Sequence, residues 1–366
     1  MEYYPKEYQD WLFQALHMSP GDEADPEFLE PLYYLNRQWV KTDDDAPMNY
    51  DGEDALMRAY TCYYMTINMP KLWFILDRVP ILSFPANQPL RIAELGCGPG
   101  TFLWSFLFYL QAKRPELLKQ EIHLVGIDRS ATALKYAEKM AAVLRKQKVF
   151  SKVTFEFVEA DWKSKISSPA DLLIFGNVLN EGLGIEVDWK QVAADRVAII
   201  EPGTKKGFQP LLPVRSQLVA SGKHIQFPCP QETTPCPMTQ DNWCHFSINR
   251  FQLSFIQRIS NRAKRLNSRH NFSGFLFTSE PEVSAKNDWR VLSKLRKANR
   301  SGIRWICSGC QLKEAILSRK SRSETNRIFL NADWGDRLTI TRGSDETSQC
   351  FDGRLRPTDK VLSKSF

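Results

Sequence analysis

Between Tyr8 and Arg78 the apolar residues recur at helical spacing: Trp11, Leu12 and Leu16, then Phe28, Leu32 and Leu35, then Leu56, Tyr60, Tyr63 and Tyr64, then Leu72 and Leu76. That period places them on one face of successive helices, so residues 1–88 are expected to form a helical N-terminal domain. Pro80, Pro85 and Pro89, with Asn87 between them, read as a linker. From Arg91 the pattern changes. Short apolar runs (RIAELGC, HLVGIDR, VTFEFVEAD, DLLIFGNVLNE, RVAIIEPG) alternate with helical stretches that begin at Thr101 and Ala131. Strand, helix, strand in succession predicts a doubly wound parallel sheet of α/β class over residues 89–225. Ser130 is placed to cap the second helix, whose buried stripe is Ala133, Leu134, Ala137, Met140, Ala141 and Leu144. A helix at Leu211 to Ala220 and a strand, HIQF, follow. Residues 227–246 (FPCPQETTPCPMTQDNWCHF) then carry proline, cysteine and turn formers but few aliphatics, so something other than an apolar core must order them. Residues 226–366 read as a cysteine-rich, basic extension that ends in a hairpin or small sheet made from QLKEAILSRK and TNRIFLNADWGDRLTITR.

Composition narrows the class without choosing within it. A chain of 366 residues, 43% hydrophobic and 25% charged, is globular, which excludes disorder, collagen and disulfide miniproteins. Its longest apolar run, Phe102 to Leu110, falls far short of the roughly 20 residues that cross a bilayer, so no membrane partner is expected. The first residues lack both the basic-then-apolar form of a secretory signal and the Arg/Ser-rich form of an import signal, and a cytoplasmic home is expected. The formal charge of +7 is unevenly spread: residues 1–54 hold 14 acidic and 3 basic groups, whereas residues 250–327 hold 18 basic and 5 acidic ones. In a reducing compartment, cysteines gathered in the second half of the chain point to a metal or to chemistry more than to disulfides.

The segment from Glu94 to Thr101 (ELGCGPGT) follows a strand and opens a helix. Glycines there let the backbone approach a ligand, and the helix N-terminus favours an electronegative group. The spacing is G-x-G-x-G rather than the G-x-G-x-x-G of nicotinamide-dinucleotide sites, with an acidic residue two before the first glycine. It resembles motif I of class I S-adenosylmethionine (SAM) methyltransferases. Glu94, Gly96, Gly98, Gly100 and Thr101 are thus expected around the cofactor, with Asp128 at the next strand end accepting from ribose hydroxyls. Asp161, with Trp162 beside it, resembles the residue that meets the adenine amino group. The fourth strand ends in FGNVLNE, which is neither the N/D-P-P-Y/F of amino-methylating enzymes nor a cytosine-C5 cysteine motif. Asn177, Asn180 and Glu181 would face the methyl-donor side, and no catalytic residue is assigned.

Cys229, Cys236 and Cys244 are spaced C-x6-C-x7-C, with Cys307 or Cys310 as a later fourth thiol. The spacing suits zinc less well than an iron–sulfur cluster, which accepts wider loops; either would order the proline-rich segment, since metal binding energy becomes folding energy. The run from AIIEPG to WCHFSINR, with ELGCGPGTFLW before it and CSGC and ADWGD after it, resembles the ribosome small-subunit assembly methyltransferase-like family of mitochondria and bacteria over roughly residues 90 to 340. The resemblance implies a 4Fe-4S cluster on Cys229, Cys236, Cys244 and Cys307, and partnership with the small ribosomal subunit and its rRNA. Gln231 stands where a histidine is common in that family, and Cys310 where a glycine is usual.

Arg258, Arg262, Arg265 and Arg269 follow at i+4, i+3 and i+4, one side of a helix, with Lys294, Arg296, Lys297, Arg300 and Arg304 in a second cluster. Basic stripes of this kind neutralise phosphates by counterion release and are expected to hold rRNA. Two readings of function follow: a SAM-dependent methyltransferase with an RNA acceptor, monomeric when free, or an assembly factor that binds SAM and rRNA without catalysis. A zinc-stabilised small-molecule methyltransferase is a third reading, which the basic stretch argues against.

Overall fold

The computed structural model describes residues 3–40, 52–80, 84, 88–179, 187–232, 235–238, 241–281, 287–343 and 351–364. These form two compact units, one of Met1–Phe74, Ser83–Glu201 and Ile248–His270, the other of Ile75–Leu82, Pro202–Ser247 and Asn271–Phe366. The boundaries expected from the sequence, 1–88, 89–225 and 226–366, cut across both. Among the described residues no helix is long and apolar enough to cross a membrane.

The first unit opens with α1 (Tyr8–Leu16), α2 (Pro26–Val40) and α3 (Asp54–Ala59), then a π-helical turn over Tyr60–Met65, α4 (Thr66–Asn68) and the start of α5 (Pro70–Leu76). The stripes of α1 and α2 are those read from the sequence, whereas α3 buries Met57 and Ala59 and leaves Leu56, and Tyr60 after it, half-buried. The sheet that follows runs β1 (Leu90–Leu95), α6 (Thr101–Lys113), β2 (Ile122–Asp128), α7 (Ala131–Leu144), β3 (Val153–Glu159), β4 (Leu172–Gly176) and β5 (Arg196–Pro202). Its order is β3-β2-β1-β4-β5 with every neighbour parallel, a class I methyltransferase-like arrangement. Trp11 of α1 donates its indole N–H to the carbonyl of Met140 in α7 at 3.1 Å and meets Trp104 and Phe108 of α6 edge-on. The helical head is therefore one layer of the same unit as the sheet. Ser130 caps α7 as expected, its hydroxyl accepting the Ala133 N–H.

The second unit includes α8 (Lys205–Phe208), α9 (Leu211–Ala220), β6 (His224–Phe227) and most of β8 (Arg269–Thr278), with β6 and β8 antiparallel; β7 (Phe246–Asn249) and α10 (Ser254–Arg262) lie between them in sequence. A further sheet of six strands has the order β10-β11-β9-β13-β14, with β12 on β11. Its members are β9 (Asp288–Val291), β10 (Arg296–Ala298), β11 (Ser301–Cys307), β12 (Leu312–Ser318), β13 (Arg337–Thr341) and β14 (Lys360–Lys364). The expected pairing of QLKEAILSRK with TNRIFLNADWGDRLTITR is corrected: β12 pairs with β11, β13 lies between β9 and β14, and IFLN is a short helix. Phe329 of that helix sits in the sheet's core with Trp289, Val291, Ile306, Leu317 and Leu338, a burial the helix achieves and a strand edge would not.

Asp288 and Arg337 are both buried in this core and face each other across β9 and β13, with Arg337 Nη2 at 2.7 Å and Nε at 3.0 Å from Asp288 Oδ2, and Thr339 Oγ1 donating to Oδ1. Removing one member leaves the other charge buried without compensation, which costs about 3 to 5 kcal/mol. Asp288→Ala is expected to lower the stability measured by denaturant unfolding by that much, while Asp288→Asn, which keeps the acceptor for Thr339, loses less; equal stability for wild type and Asp288→Ala would refute the assignment.

Candidate functional site

In the first unit the strand order reverses at β1, whose neighbours are β2 and β4, and the loops after β1 and β4 lie side by side at the carboxyl edge of the sheet, where open α/β sheets bind their ligands. The ELGCGPGT segment lies there. Gly96, Gly98 and Gly100 all take left-handed backbone angles, φ 69°, 53° and 85°. A methyl group on Gly96 would stand 2.5 Å from Val178 Cγ2, and one on Gly100 2.7 Å from the Trp104 indole. Gly98 differs: among the described residues nothing lies within 4 Å of where its Cβ would project. The loop is thus packed at both ends and open at its middle.

Two buried carboxylates hold this arrangement. Glu94 accepts the N–H groups of Phe102 at 3.0 Å and of Leu103 at 2.9 Å, which are orphan donors at the start of α6. Burial pushes its carboxyl up to about 8 against those two hydrogen bonds. Its structural task is therefore to fix the helix N-terminus on which Thr101, also buried, is the first residue. Glu201, at the end of β5 and fully buried, accepts the N–H groups of Val178 at 3.0 Å and Leu179 at 2.8 Å. It thereby clamps the loop after β4 against Gly96. Lys71 of α5 is buried near Glu201, and burial holds its ammonium down to about 7 although the carboxylate favours the charged form. Glu201 was not singled out from the sequence; the signal for it is a carboxylate closing an aliphatic run, IIEPG.

Asp128 accepts the Gly98 N–H at 2.7 Å on one oxygen and the Ser130 N–H at 2.9 Å on the other, so its carboxylate adjoins the open middle of the loop. Burial raises its pKa, and the two N–H bonds oppose the rise. Asp161 lies one strand over. It is exposed, and its Oδ1 accepts the Lys163 N–H at 3.0 Å as the cap of a short helical turn, which carries Trp162 inward against Phe175. Asn177 follows β4 with φ 58°; its Oδ1 and the Trp162 Nε1 are buried with no hydrogen-bond partner among the described residues. Asn180 and Glu181 lie outside the described residues.

The cysteines lie in the second unit. Cys229, Cys244 and Cys307 are buried and Cys236 is half-buried; burial first, and then one another's charge, raises the thiols of Cys244 and Cys307, with Cys229 and Cys236 among the neighbours of each. Cys229 and Cys236 thus lie within electrostatic reach of both Cys244 and Cys307. Cys310 is exposed, with its thiol at 3.4 Å from Gln231 Oε1. The turn that separates Cys307 from Cys310 needs a glycine: Gly309 has φ 100°, and a Cβ there would stand 2.1 Å from the Gln231 carbonyl. Among the described residues no three His, Cys, Asp or Glu side chains converge to hold a metal ion. Two buried arginines adjoin the thiols and were not foreseen: Arg215 lies beside Cys229, and Arg290 is near Cys229 and Cys244 while donating to the carbonyls of Pro228 at 2.8 Å and Gly335 at 2.9 Å.

The arginine stripe is corrected too. The helix α10 ends at Arg262, Lys264 turns left-handed at φ 54°, and Arg269 begins β8, so the four arginines do not share one helical face. Arg258 is ion-paired to the buried Glu23, Arg262 donates to the Ala24 carbonyl, and Arg265 lies over the Tyr64 ring. The acidic head, expected to stand apart from the basic stretch, neutralises part of it. In the second unit Arg296 pairs with Glu314 at 2.8 Å, whereas Lys294 and Lys297 are exposed.

The model of one family, described as mitochondrial small ribosomal subunit Rsm22, matches residues 55–339. The chain belongs to the Rsm22 family. The matched range takes in both the glycine loop and the four cysteines, and the family description names the mitochondrial ribosome where a cytoplasmic home was expected. No curated protein matches the sequence. Among solved structures, a magnesium protoporphyrin IX methyltransferase from Synechocystis PCC 6803 with bound SAM is 14% identical, covering 70% of the Rsm22-family chain and 98% of its own, with a TM-score of 0.33. A protein from Listeria monocytogenes described as a class I SAM-dependent methyltransferase is 13% identical, with 77% and 90% covered and a TM-score of 0.39. The chain's own strand order, rather than these distant likenesses, defines its fold.

Glu201→Ala orphans two buried N–H groups, at about 1 to 3 kcal/mol each, and frees the loop that packs on Gly96. The expected result is a stability loss of about 2 to 5 kcal/mol by chemical denaturation, with Glu201→Gln, which keeps an acceptor oxygen, recovering most of it. Equal losses in both variants would show that the charge facing Lys71, and not the loop clamp, is the function of Glu201.

Proposed function

We propose that this Rsm22-family chain is a SAM-binding, methyltransferase-like protein that works on the small ribosomal subunit in contact with its rRNA, as a monomer when free. The observation that carries the reading is the open middle of the glycine loop: free space at Gly98 beside the Asp128 carboxylate. The Asn177 Oδ1 after β4 and the Trp162 Nε1 after β3, without partners among the described residues, add an acceptor and a donor at the same edge of the sheet. Each oxygen of Asp128 accepts one protein N–H, and a carboxylate has capacity for further donors, such as the ribose hydroxyls. When bound, SAM supplies a methyl group already activated on a sulfonium. Asp128 would fix the ribose, Asp161 and Trp162 the adenine end, and the Gly98 backbone would admit the cofactor closely, while Glu94 and Glu201 keep α6 and the loop after β4 in place. The loop sequence FGNVLNE lacks a known acceptor motif and favours the second reading, an assembly factor for which SAM is a structural ligand.

The donor set of the second unit fits a thiolate-ligated 4Fe-4S cluster on Cys229, Cys236, Cys244 and Cys307. Four neighbouring thiolates would carry a concentrated negative charge, and the guanidinium groups of Arg215 and Arg290 are buried where they offset it. A single zinc ion requires four ligands drawn to about 2.3 Å, whereas a body of several atoms accommodates a wider set. Such a cluster would supply the ordering that residues 227–246 lack in aliphatics.

Loss of a charge-assisted hydrogen bond costs about 1.5 to 3 kcal/mol, so Asp128→Asn is expected to weaken SAM binding in calorimetry by about 10- to 150-fold. Unchanged affinity would refute the cofactor assignment. In cells carrying that variant, normal small subunits missing one rRNA methyl group identify an enzyme, and failed assembly with all methyl groups present identifies a factor. Anaerobically purified protein is expected to be brown, with four irons per chain; a colourless preparation with stoichiometric zinc would sink the cluster.

A further inference from the structure

The six-stranded sheet of the second unit presents one face that its core does not use. β10 and β11 join through Asn299 and Arg300, both left-handed at φ 47° and 59°, which is the geometry of a tight two-residue hairpin. On β11 the alternate residues Gly302, Arg304 and Ile306 are buried, so Ser301, Ile303 and Trp305 point the other way. Cross-strand partners share a face, and the register sets Arg296 and Ile316 beside Ile303, and Glu314 beside Trp305. Trp305 is 45% exposed, in contrast to the many tryptophans in the cores. Arg296 and Glu314, bonded to each other, use up the one carboxylate between Lys294 and Arg322. At the hairpin tip the Arg319 N–H donates to the Arg300 carbonyl at 3.0 Å, which draws Arg319 and Lys320 to the side of Arg300. All three of these side chains are exposed.

We propose that this face binds single-stranded RNA, with a base stacked on Trp305 and the phosphates met by Arg300, Arg319 and Lys320. It deepens the proposed work on the small ribosomal subunit and rests on that reading for the nucleic acid being RNA. An exposed indole on a flat sheet, rimmed by cations and short of carboxylates, matches a ligand that has both flat bases and regular negative charge. A duplex keeps its bases stacked on each other and offers nothing to the indole. The site differs from the arginine stripe read from the sequence: of the second basic cluster it takes Arg300, while Arg296 is spent on Glu314 and Lys297 pairs with Gly302 on the opposite face.

Fluorescence anisotropy of a labelled single-stranded oligoribonucleotide against the full chain, over a series of KCl concentrations, tests this. Trp305→Ala is expected to weaken binding by about 5- to 150-fold, the equivalent of about 1 to 3 kcal/mol per stacked base, and Trp305→Phe to retain most of the affinity. Arg300→Ala combined with Arg319→Ala is expected to weaken binding and to flatten the salt dependence by about one unit of slope for each phosphate left without its cation. Wild-type affinity in Trp305→Ala, a loss in Trp305→Phe as large as in Trp305→Ala, preference for the duplex of the same sequence, or no binding at all would each overturn the proposal. SAM titrations of the same variants keep the readings apart, because failure of SAM binding leaves the RNA result intact, and failure of RNA binding leaves the cofactor loop intact.

Discussion

The glycine loop is held by one carboxylate. Glu94 is buried at the end of β1 and accepts two N–H groups from the first turn of α6, so strand, turn and helix are locked as one piece. Burying a carboxyl is costly, and the rise of its pKa to about 8 records that cost. What the cost secures is a rigid turn with three left-handed glycines, one of them open to a ligand. Glu201 repeats the device on the loop after β4, and the two meet through Val178 on Gly96. The glycine turn and the start of the loop after β4 are thus each held by a buried carboxylate.

The second unit reaches order by a different route. Residues 227–246 have too few aliphatics for a core of their own, and buried ionic and polar bonds take its place. Arg290 ties the carbonyls of Pro228 and Gly335 together, Ser273 donates to the Cys244 carbonyl, and Trp334 donates to the His245 carbonyl. Each bond joins this segment to a distant stretch of chain. A thiolate-held cluster would add to the same network, and the buried arginines around the thiols are consistent with charge there. The Arg337–Asp288 pair performs the corresponding task inside the six-stranded sheet.

The charge separation along the sequence is partly cancelled in space. Glu23 is buried against Arg258, which commits one arginine of the expected RNA-binding stripe to the structure of the first unit. Exposed positive charge is instead concentrated at a strand hairpin of the second unit, where one carboxylate is already paired. Charge counted along a chain measures composition, whereas the field a phosphate meets depends on which groups are left unpaired at the surface.

The parallel sheet, the succession of its strands and helices, the cap of α7 and the glycine turn were legible in the sequence because each rests on residues near one another: alternating periods, a serine before a helix, glycines where only glycine fits. The resemblance implies a shared site for Cys229, Cys236, Cys244 and Cys307, whereas among the described residues no three such side chains converge to hold a metal ion. Tertiary structure decided the rest. It merged the helical head with the sheet, since the head's apolar stripes have no other surface to cover; it ended α10 at Arg262, since Lys264 leaves the helical region; and it gave Glu201, Arg215, Arg290 and Trp305 their places. Those four depend on partners far away along the chain, and a periodicity that repeats every two or four residues holds no information about which distant atoms will stand opposite a buried charge or leave one ring exposed.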